Sequence, residues 1–208
     1  MMRRFSGYRL GILVGVLLIA LVVSACGDKG KSTRQPTAGS QIICFGDSLT
    51  AGTGAARGMD YPSQLSRLVG RPVINAGVPG DTTAEGLDRL ERDVLGRSPR
   101  LVLITLGGND LKNRVSRDAA FGNLRQIVDR IHDAGALAII GGIDIPFYGR
   151  GFDKAYKELA EETGAVLIEN ILDDIMGNRS LMSDPIHPND AGYAVMAERF
   201  HRAIEPYL

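Results

Sequence analysis

A serine, an aspartate and a histidine, held in two short motifs far apart in the chain, together have the makings of a nucleophilic centre. The serine follows the apolar run Ile42-Ile43-Cys44-Phe45, which breaks abruptly into Gly46-Asp47-Ser48-Leu49. A run that is apolar at every position suits a strand buried on both faces of a parallel sheet. Gly46 lets the chain turn without a Cβ clash. Ser48 then stands at the carboxyl end of a strand, where open α/β sheets bind their ligands. The second motif, Asp184-Pro185-Ile186-His187-Pro188, puts a carboxylate and an imidazole three residues apart. A serine hydroxyl needs a base within hydrogen-bond reach before it will attack a carbonyl. The imidazole in turn needs an acceptor that fixes its tautomer and stabilises its charged form. Asp184 can serve His187 in this way across one short turn.

Acyl transfer also needs donors aimed at the oxyanion of the tetrahedral intermediate, each worth about 3–4 kcal/mol of barrier in a well-studied protease. Two more strand ends offer them. The segment 72–76 exits into Gly77-Val78-Pro79-Gly80-Asp81-Thr82, with Gly80 just ahead of a helix cap at Thr82, near the positive end of that helix. The segment 101–106 exits into Gly107-Gly108-Asn109-Asp110, where paired glycines make a tight turn and leave Asn109 to present an amide. The candidate donors are the Ser48 amide, the Gly80 amide and the Asn109 side chain. Taken singly, each residue has a plainer role: Ser48 as a helix cap, Gly80 and Asn109 as turn formers. Asp47 reads as a capping or supporting residue. His132 and His201 fall at the edges of helical stripes and read as half-exposed structural residues. Charged residues on the long helices read as solvated faces, and Cys44 as a small buried hydrophobe.

The elements that must position these groups alternate between short apolar runs and longer amphipathic ones. Strands are expected at 41–45, 72–76, 101–106, 137–143 and 166–168. Helices are expected at 61–69, 83–95, 118–134 and 152–162, with a last one from about Asn189. Thr82-Thr83-Ala84-Glu85 has capping-box spacing. This βα alternation predicts a parallel sheet with helices on both faces, in one domain over 41–208.

Gly46-Asp47-Ser48-Leu49, Gly80, Gly107-Gly108-Asn109-Asp110 and Asp184-Pro185-Ile186-His187-Pro188 resemble, in order, the four blocks of the GDSL, or SGNH, hydrolases. Asn75-Ala76 and Ile145-Pro146-Phe147-Tyr148-Gly149 extend the likeness toward the bacterial periplasmic multifunctional thioesterase, arylesterase and lysophospholipase group. The resemblance implies a flavodoxin-like three-layer α/β/α fold with no metal or other cofactor. It implies Ser48 as nucleophile, His187 as base, Asp184 as orienter, and Ser48, Gly80 and Asn109 as the oxyanion hole. Phe147 and Tyr148 are candidates for lining an acyl pocket. The α/β-hydrolase elbow G-x-S-x-G does not fit, because Thr50 stands where its second glycine belongs. The chain has no Trp, and its segments after Gly108 and Pro146 differ from that group, so acyl-chain preference does not carry over. An esterase is therefore the first expectation. A carbohydrate or peptidoglycan O-deacetylase would use the same triad, and a non-catalytic envelope lipoprotein would use only the fold.

Composition sets the surroundings. With 24 basic and 24 acidic residues there is no basic excess of the kind a nucleic-acid binder carries. Arg3, Arg4 and Arg9 precede an uninterrupted apolar run over 10–23, too short for the ~20 residues of a spanning helix and of signal-peptide length. It ends in Val23-Ser24-Ala25-Cys26, which resembles the lipobox of bacterial lipoproteins. The expected order is a lipoprotein signal peptide at 1–25, a flexible Gly/Ser/Thr/Lys-rich tether at 26–40 carrying lipidated Cys26, and the hydrolase domain at 41–208. That makes the protein exported and membrane-held through Cys26, facing the periplasm, with Gly27 favouring the outer membrane. Cys26→Ala is expected to accumulate as an unlipidated precursor. Equal lipid labelling of mutant and wild type would remove the anchor.

Overall fold

A computed structural model describes residues 34–144 and 151–208. The expected signal peptide at 1–25, the lipidation site Cys26 and the candidate pocket residues Phe147 and Tyr148 lie outside the described residues.

Five strands form one sheet: β1 (Gln41–Gly46), β2 (Val73–Gly77), β3 (Pro99–Thr105), β4 (Leu137–Gly141) and β5 (Val166–Ile168). Their order is β2-β1-β3-β4-β5 and every pairing is parallel. The chain steps from β1 to β2 on one side, then crosses back to β3 on the other. The reversal between β1 and β3 is the switch point at which doubly wound sheets bind ligands. Ser48 follows β1 and Asn109 follows β3, so both emerge there.

Alternation along the central strands sends successive apolar residues to opposite, covered faces. On one face Ile42, Cys44, Leu101 and Leu103 pack against Tyr61 and Leu65 of α2 (Tyr61–Val69) and Tyr193, Met196 and Phe200 of α7 (Asp190–Ile204). On the other, Ile43, Phe45, Val102 and Ile104 meet three helices: α3 (Thr83–Asp93), α5 (Arg117–Asp133) and α6 (Phe152–Thr163). Those helices bring Leu90, then Leu124, Ile127, Val128 and Ile131, then Tyr156 and Leu159. Cys44 is fully buried in the first layer, and burial pushes its thiol pKa far up, so it packs and does not react. The helix starts follow their caps. Thr82 and Glu85 close a capping box on α3, and Asp60, Ser116 and Asn189 cap α2, α5 and α7.

Several details depart from expectation. Two one-turn helices, α1 (Ser48–Ala51) and α4 (Gly108–Lys112), replace plain turns after β1 and β3. Four or five residues are too few to show a helical period. The helix expected to reach residue 95 stops at Asp93, and Leu95–Arg97 continues as a 3-10 turn. His132 is not half-exposed. It is 7% exposed, and its Nε2 accepts the Ala138 amide at 3.3 Å, because the chain folds tightly from α5 into β4. Burial first, then the charge of Arg34, lowers its pKa to about 4, so it stays neutral. Ahead of β1, the amides of Thr37 and Ala38 donate to Gly135 O at 2.8 and 3.1 Å, and those of Ser40 and Gln41 to Ser98 O. Residues 37–40 thus lie along the amino edge of the sheet, opposite Ser48.

Phe200 is fully buried and stacks on Tyr61 at 5.0 Å between ring centroids, joining α7 to α2. Phe200→Ala is expected to lower the unfolding free energy by about 3–5 kcal/mol, the usual cost of deleting a buried aromatic ring. A urea midpoint that did not move would contradict this packing.

Candidate active site

The turn after β1 is built by close approach. A Cβ on Gly46 would collide with Thr105 of β3 and with Thr50 of α1, so only glycine lets the chain turn so near its neighbour. The Thr50 hydroxyl bonds those of Tyr61 (2.9 Å) and Thr105, which fixes α1 on the sheet. Asp47 caps α1, its Oδ1 accepting the Leu49 amide at 3.0 Å. Ser48 is the first residue of that helix, where backbone amides have no intrahelical acceptor.

The imidazole arrives on a loop rather than on the sheet. Asp184 Oδ1 accepts the amides of Ile186 and His187, both at 2.8 Å, closing a tight turn. The Ser183 amide donates to His187 O at 2.9 Å, and Met182 pairs with Pro188. Beyond this loop, Asp190 Oδ1 accepts the Ala56 amide and Tyr193 Oη donates to Thr53 O, each at 2.8 Å. These two bonds tie the start of α7 to the chain just past α1. His187 Nδ1 lies 2.7 Å from Asp184 Oδ2, and Nε2 lies 3.1 Å from Ser48 Oγ. With the ring proton on Nδ1, Nε2 accepts from the hydroxyl. The hydrogen bond from His187, then the two loop amides, hold the Asp184 pKa down at about 2, so this carboxylate is ionised across the working range.

Sequence reasoning brought Gly80 and Asn109 to the same edge, and the structure links them. Gly80 has φ +93°, a conformation that glycine adopts without strain, and lies exposed with open space where a Cβ would be. The next residue, Asp81, offers its carbonyl to Asn109 Nδ2 at 2.9 Å. The Asn109 amide is less free than expected. Its second donor contact is Asp47 Oδ2 at 3.2 Å. An incoming oxyanion would compete for the longer of these two bonds. Asp110 is fully buried and accepts the Thr83 amide (2.9 Å) and hydroxyl (2.6 Å), fastening the β3 turn to the start of α3.

Asp47, read as a capping or supporting residue, is both: it caps α1 and accepts from Asn109 Nδ2. One residue was missed. Arg89 was read as part of a solvated helix face and is 7% exposed. Its Nε donates to Asp81 Oδ2 at 2.5 Å, Nη1 to Ala76 O and Asp93 Oδ2, and Nη2 to Gly46 O, with the guanidinium 4.3 Å above the Phe45 ring. Arg89 adjoins the buried Leu90 on α3, and nothing in the sequence marks it out from the other charged residues of that helix.

A doubly wound parallel sheet with a serine–imidazole–carboxylate chain at its switch point has the form of an SGNH-type hydrolase. Comparison with known proteins agrees. Residues 44–195 match the model of the GDSL-like lipase/acylhydrolase family. The chain is 29% identical over 184 residues to thioesterase 1/protease 1/lysophospholipase L1 of Escherichia coli K12, covering 85% of this chain and 88% of that protein. Its fold superposes on the crystal structure of TesA with a TM-score of 0.77 at 27% identity, over 81% of this chain and 100% of the other. It superposes on AlinE4, an SGNH-hydrolase family esterase, with a TM-score of 0.64 at 35% identity, over 80% and 94%. The chain belongs to the GDSL-like lipase/acylhydrolase family and is an ester-hydrolysing enzyme.

Asp47 is 3% exposed, and burial raises its pKa to about 7, against the lowering effects of the Leu49 amide and His187. The folded state therefore holds this proton more tightly than the unfolded chain, whose Asp titrates near ~3.9. The contribution is complete below pH ~4 and is lost as pH rises to about 7. Wild-type stability minus that of Asp47→Asn should fall across this window, by on the order of 4 kcal/mol at 1.36 kcal/mol per pKa unit. A flat difference between urea midpoints at pH 4 and pH 7.5 would refute it.

Proposed function

We propose that the enzyme cleaves carboxylic esters through an acyl-Ser48 intermediate. The Ser48–His187–Asp184 chain, at 3.1 and 2.7 Å, carries this reading. Ser48 Oγ attacks the ester carbonyl while His187 Nε2 takes its proton. Ionised Asp184 holds the ring and stabilises the imidazolium. The carbonyl oxygen, now negative, takes hydrogen bonds from the amides of Ser48 and Gly80 and from Asn109 Nδ2. The imidazolium then protonates the departing alkoxide. Water enters, gives a proton to His187, and attacks the acyl carbon. The second tetrahedral intermediate collapses with return of the proton to Ser48, releasing the acid.

The substrate is an uncharged or lipid-like ester with an apolar part. Val78 and Ile186 support this: they are 40% and 51% exposed, on the turn that carries Gly80 and the loop that carries His187. Lysophospholipids and short- to medium-chain esters fit, and thioester cleavage is secondary in an exported protein. The lipobox-like Val23-Ser24-Ala25-Cys26 supports anchoring at Cys26 in the envelope, facing the periplasm and favouring the outer membrane. Among the described residues no helix is long and apolar enough to cross a membrane. From Cys26 to Thr37 the chain extends at most ~40 Å, which sets how far the domain stands from its anchor.

Purified protein is expected to hydrolyse p-nitrophenyl acyl esters, and Ser48→Ala to lower kcat at least ~1,000-fold. Unchanged turnover in a folded Ser48→Ala protein would end the mechanism. A chain-length series, run beside acetyl release from acetylated glycans, distinguishes lipolytic from deacetylase specificity. Acetyl-only activity with glycan turnover would replace the lipid-ester reading.

A further inference from the structure

Arg89 bonds three segments, at the end of β1, near the end of β2 and in the turn after Gly80. Its Nη2 donates to Gly46 O at 2.8 Å, at the end of β1, one residue before the Asp47-Ser48 turn. Its Nη1 donates to Ala76 O at 2.9 Å, near the end of β2, where the chain leaves for Gly80. Its Nε meets Asp81 Oδ2 at 2.5 Å, on the residue after Gly80. Asp93 Oδ2, one turn further along α3, accepts from Nη1 at 3.2 Å, and the Phe45 ring lies 4.3 Å beneath the guanidinium. The group is almost wholly out of water, with side-chain exposures of 8% for Arg89, 10% for Asp81 and 15% for Asp93.

Asp81 makes this more than a structural tie. Its carboxylate is held by Arg89 and its carbonyl holds Asn109 Nδ2 at 2.9 Å. Gly46 O also accepts the Val78 amide at 3.0 Å, so the turn carrying Gly80 hangs from the same carbonyl that Arg89 grips. Each of the three donors assigned to the oxyanion is thus at most a few bonds from one guanidinium: Ser48 through Gly46, Gly80 through Ala76 and Asp81, and Asn109 through Asp81. We propose that Arg89 is a positioning residue for the oxyanion hole, fixing the Ser48, Gly80 and Asn109 donors relative to one another without touching substrate.

The planar fork suits this task. Its donors point in fixed, divergent directions, and three contacts on three segments fix where the turns lie relative to α3. A lysine keeps the charge but offers a single nitrogen, which cannot reach Gly46 O, Ala76 O and Asp81 together. Donors must lie within 2.7–3.1 Å of the place where the oxyanion forms, and a misplacement of about 1 Å costs on the order of a hundredfold in rate. Substrate binding before attack does not depend on those donors, so the loss falls on kcat rather than KM.

The inference rests on the acyl-Ser48 reading, and the experiment keeps the two apart. Arg89→Met and Arg89→Lys are compared with wild type on a p-nitrophenyl ester and on its thionoester, in which sulfur replaces the carbonyl oxygen. Sulfur is large and accepts hydrogen bonds weakly, so the thionoester gains little from the hole. Folding is checked by circular dichroism and by a urea titration, and rates are taken where each variant is folded. Arg89→Met is expected to lose ~10–100-fold in kcat on the oxygen ester with KM within about threefold, and to change little on the thionoester. Arg89→Lys is expected to lose less, and millimolar guanidinium to restore part of the rate to Arg89→Ala, where methylammonium does not. Where Arg89→Met fails to fold, Asp81→Asn cuts one arm alone and should show the same selective loss. Equal losses on both esters, a loss confined to KM, or full kcat in folded variants would each overturn the positioning role. With wild-type turnover intact and abolished in Ser48→Ala, such results leave the mechanism standing. Wild-type turnover that survives Ser48→Ala would remove both.

Discussion

A carboxylate taken out of water must be met by donors, and this domain buries three of them in the turns at one edge of its sheet. Asp47, Asp81 and Asp110 are 3%, 8% and 0% exposed. A buried ion or its acid without partners costs several kcal/mol. Each therefore reaches out of its own turn. Asp47 takes the Asn109 amide from the β3 turn. Asp81 takes Arg89 from α3 and lends its carbonyl to Asn109. Asp110 takes the amide and hydroxyl of Thr83 at the start of α3. The need to satisfy these groups knits three sequence blocks, separate in the chain, into one rigid rim around Ser48.

The fourth block works differently. Asp184 keeps 44% of its side chain exposed, and its partners are the amides of its own turn and the neighbouring imidazole. Its charge is held locally rather than by burial, so the His187 loop can lie on the rim without belonging to the core. What registers this loop against Ser48 is remote. The Asp190–Ala56 and Tyr193–Thr53 bonds join α7 to the chain just beyond α1. Ser48 and His187 thus share a foundation on the α2–α7 side of the sheet. Gly80 and Asn109 are braced from the α3 side.

How much of this could be read from residues alone follows from the range of each signal. The run from Leu101 to Ile104 stands out because a parallel sheet covered on both faces favours apolar residues at every position, and the helices between the strands are long enough to show their period. The four blocks are short and local, so Ser48, Gly80, Asn109, Asp184 and His187 could be singled out from the sequence, and the structure brings Ser48, His187 and Asp184 into one hydrogen-bonded chain. Arg89 could not be singled out, because two of its acceptors are carbonyls, which have no sequence signature. A charged residue on an amphipathic helix gives no sign that backbone from two strands awaits it. His132 was misplaced although it follows Leu124 and Val128 at four-residue steps in the buried stripe of α5, where an imidazole was not expected. The one-turn helices α1 and α4 are shorter than any periodicity.

The doubly engaged Asn109 amide bears on how charge develops in the proposed mechanism. An oxyanion forming beside Gly80 would draw one of the two Nδ2 hydrogens, and the 3.2 Å contact to Asp47 is the weaker to break. Were Asp47 firmly ionised, it would both hold that hydrogen and repel the new negative charge. Burial instead raises its pKa to about 7, so the group sits close to the balance between acid and anion. The raised pKa lessens the negative charge on Asp47, and with it the repulsion an oxyanion there would meet, while Oδ1 keeps the Leu49 amide capped. The burial that gives α1 its cap therefore also lessens an unfavourable charge beside Ser48. That effect requires a carboxyl group short enough to stay beneath Ser48: at position 47, aspartate meets the cap and Asn109 from one side chain, and asparagine would turn an amide donor toward another donor.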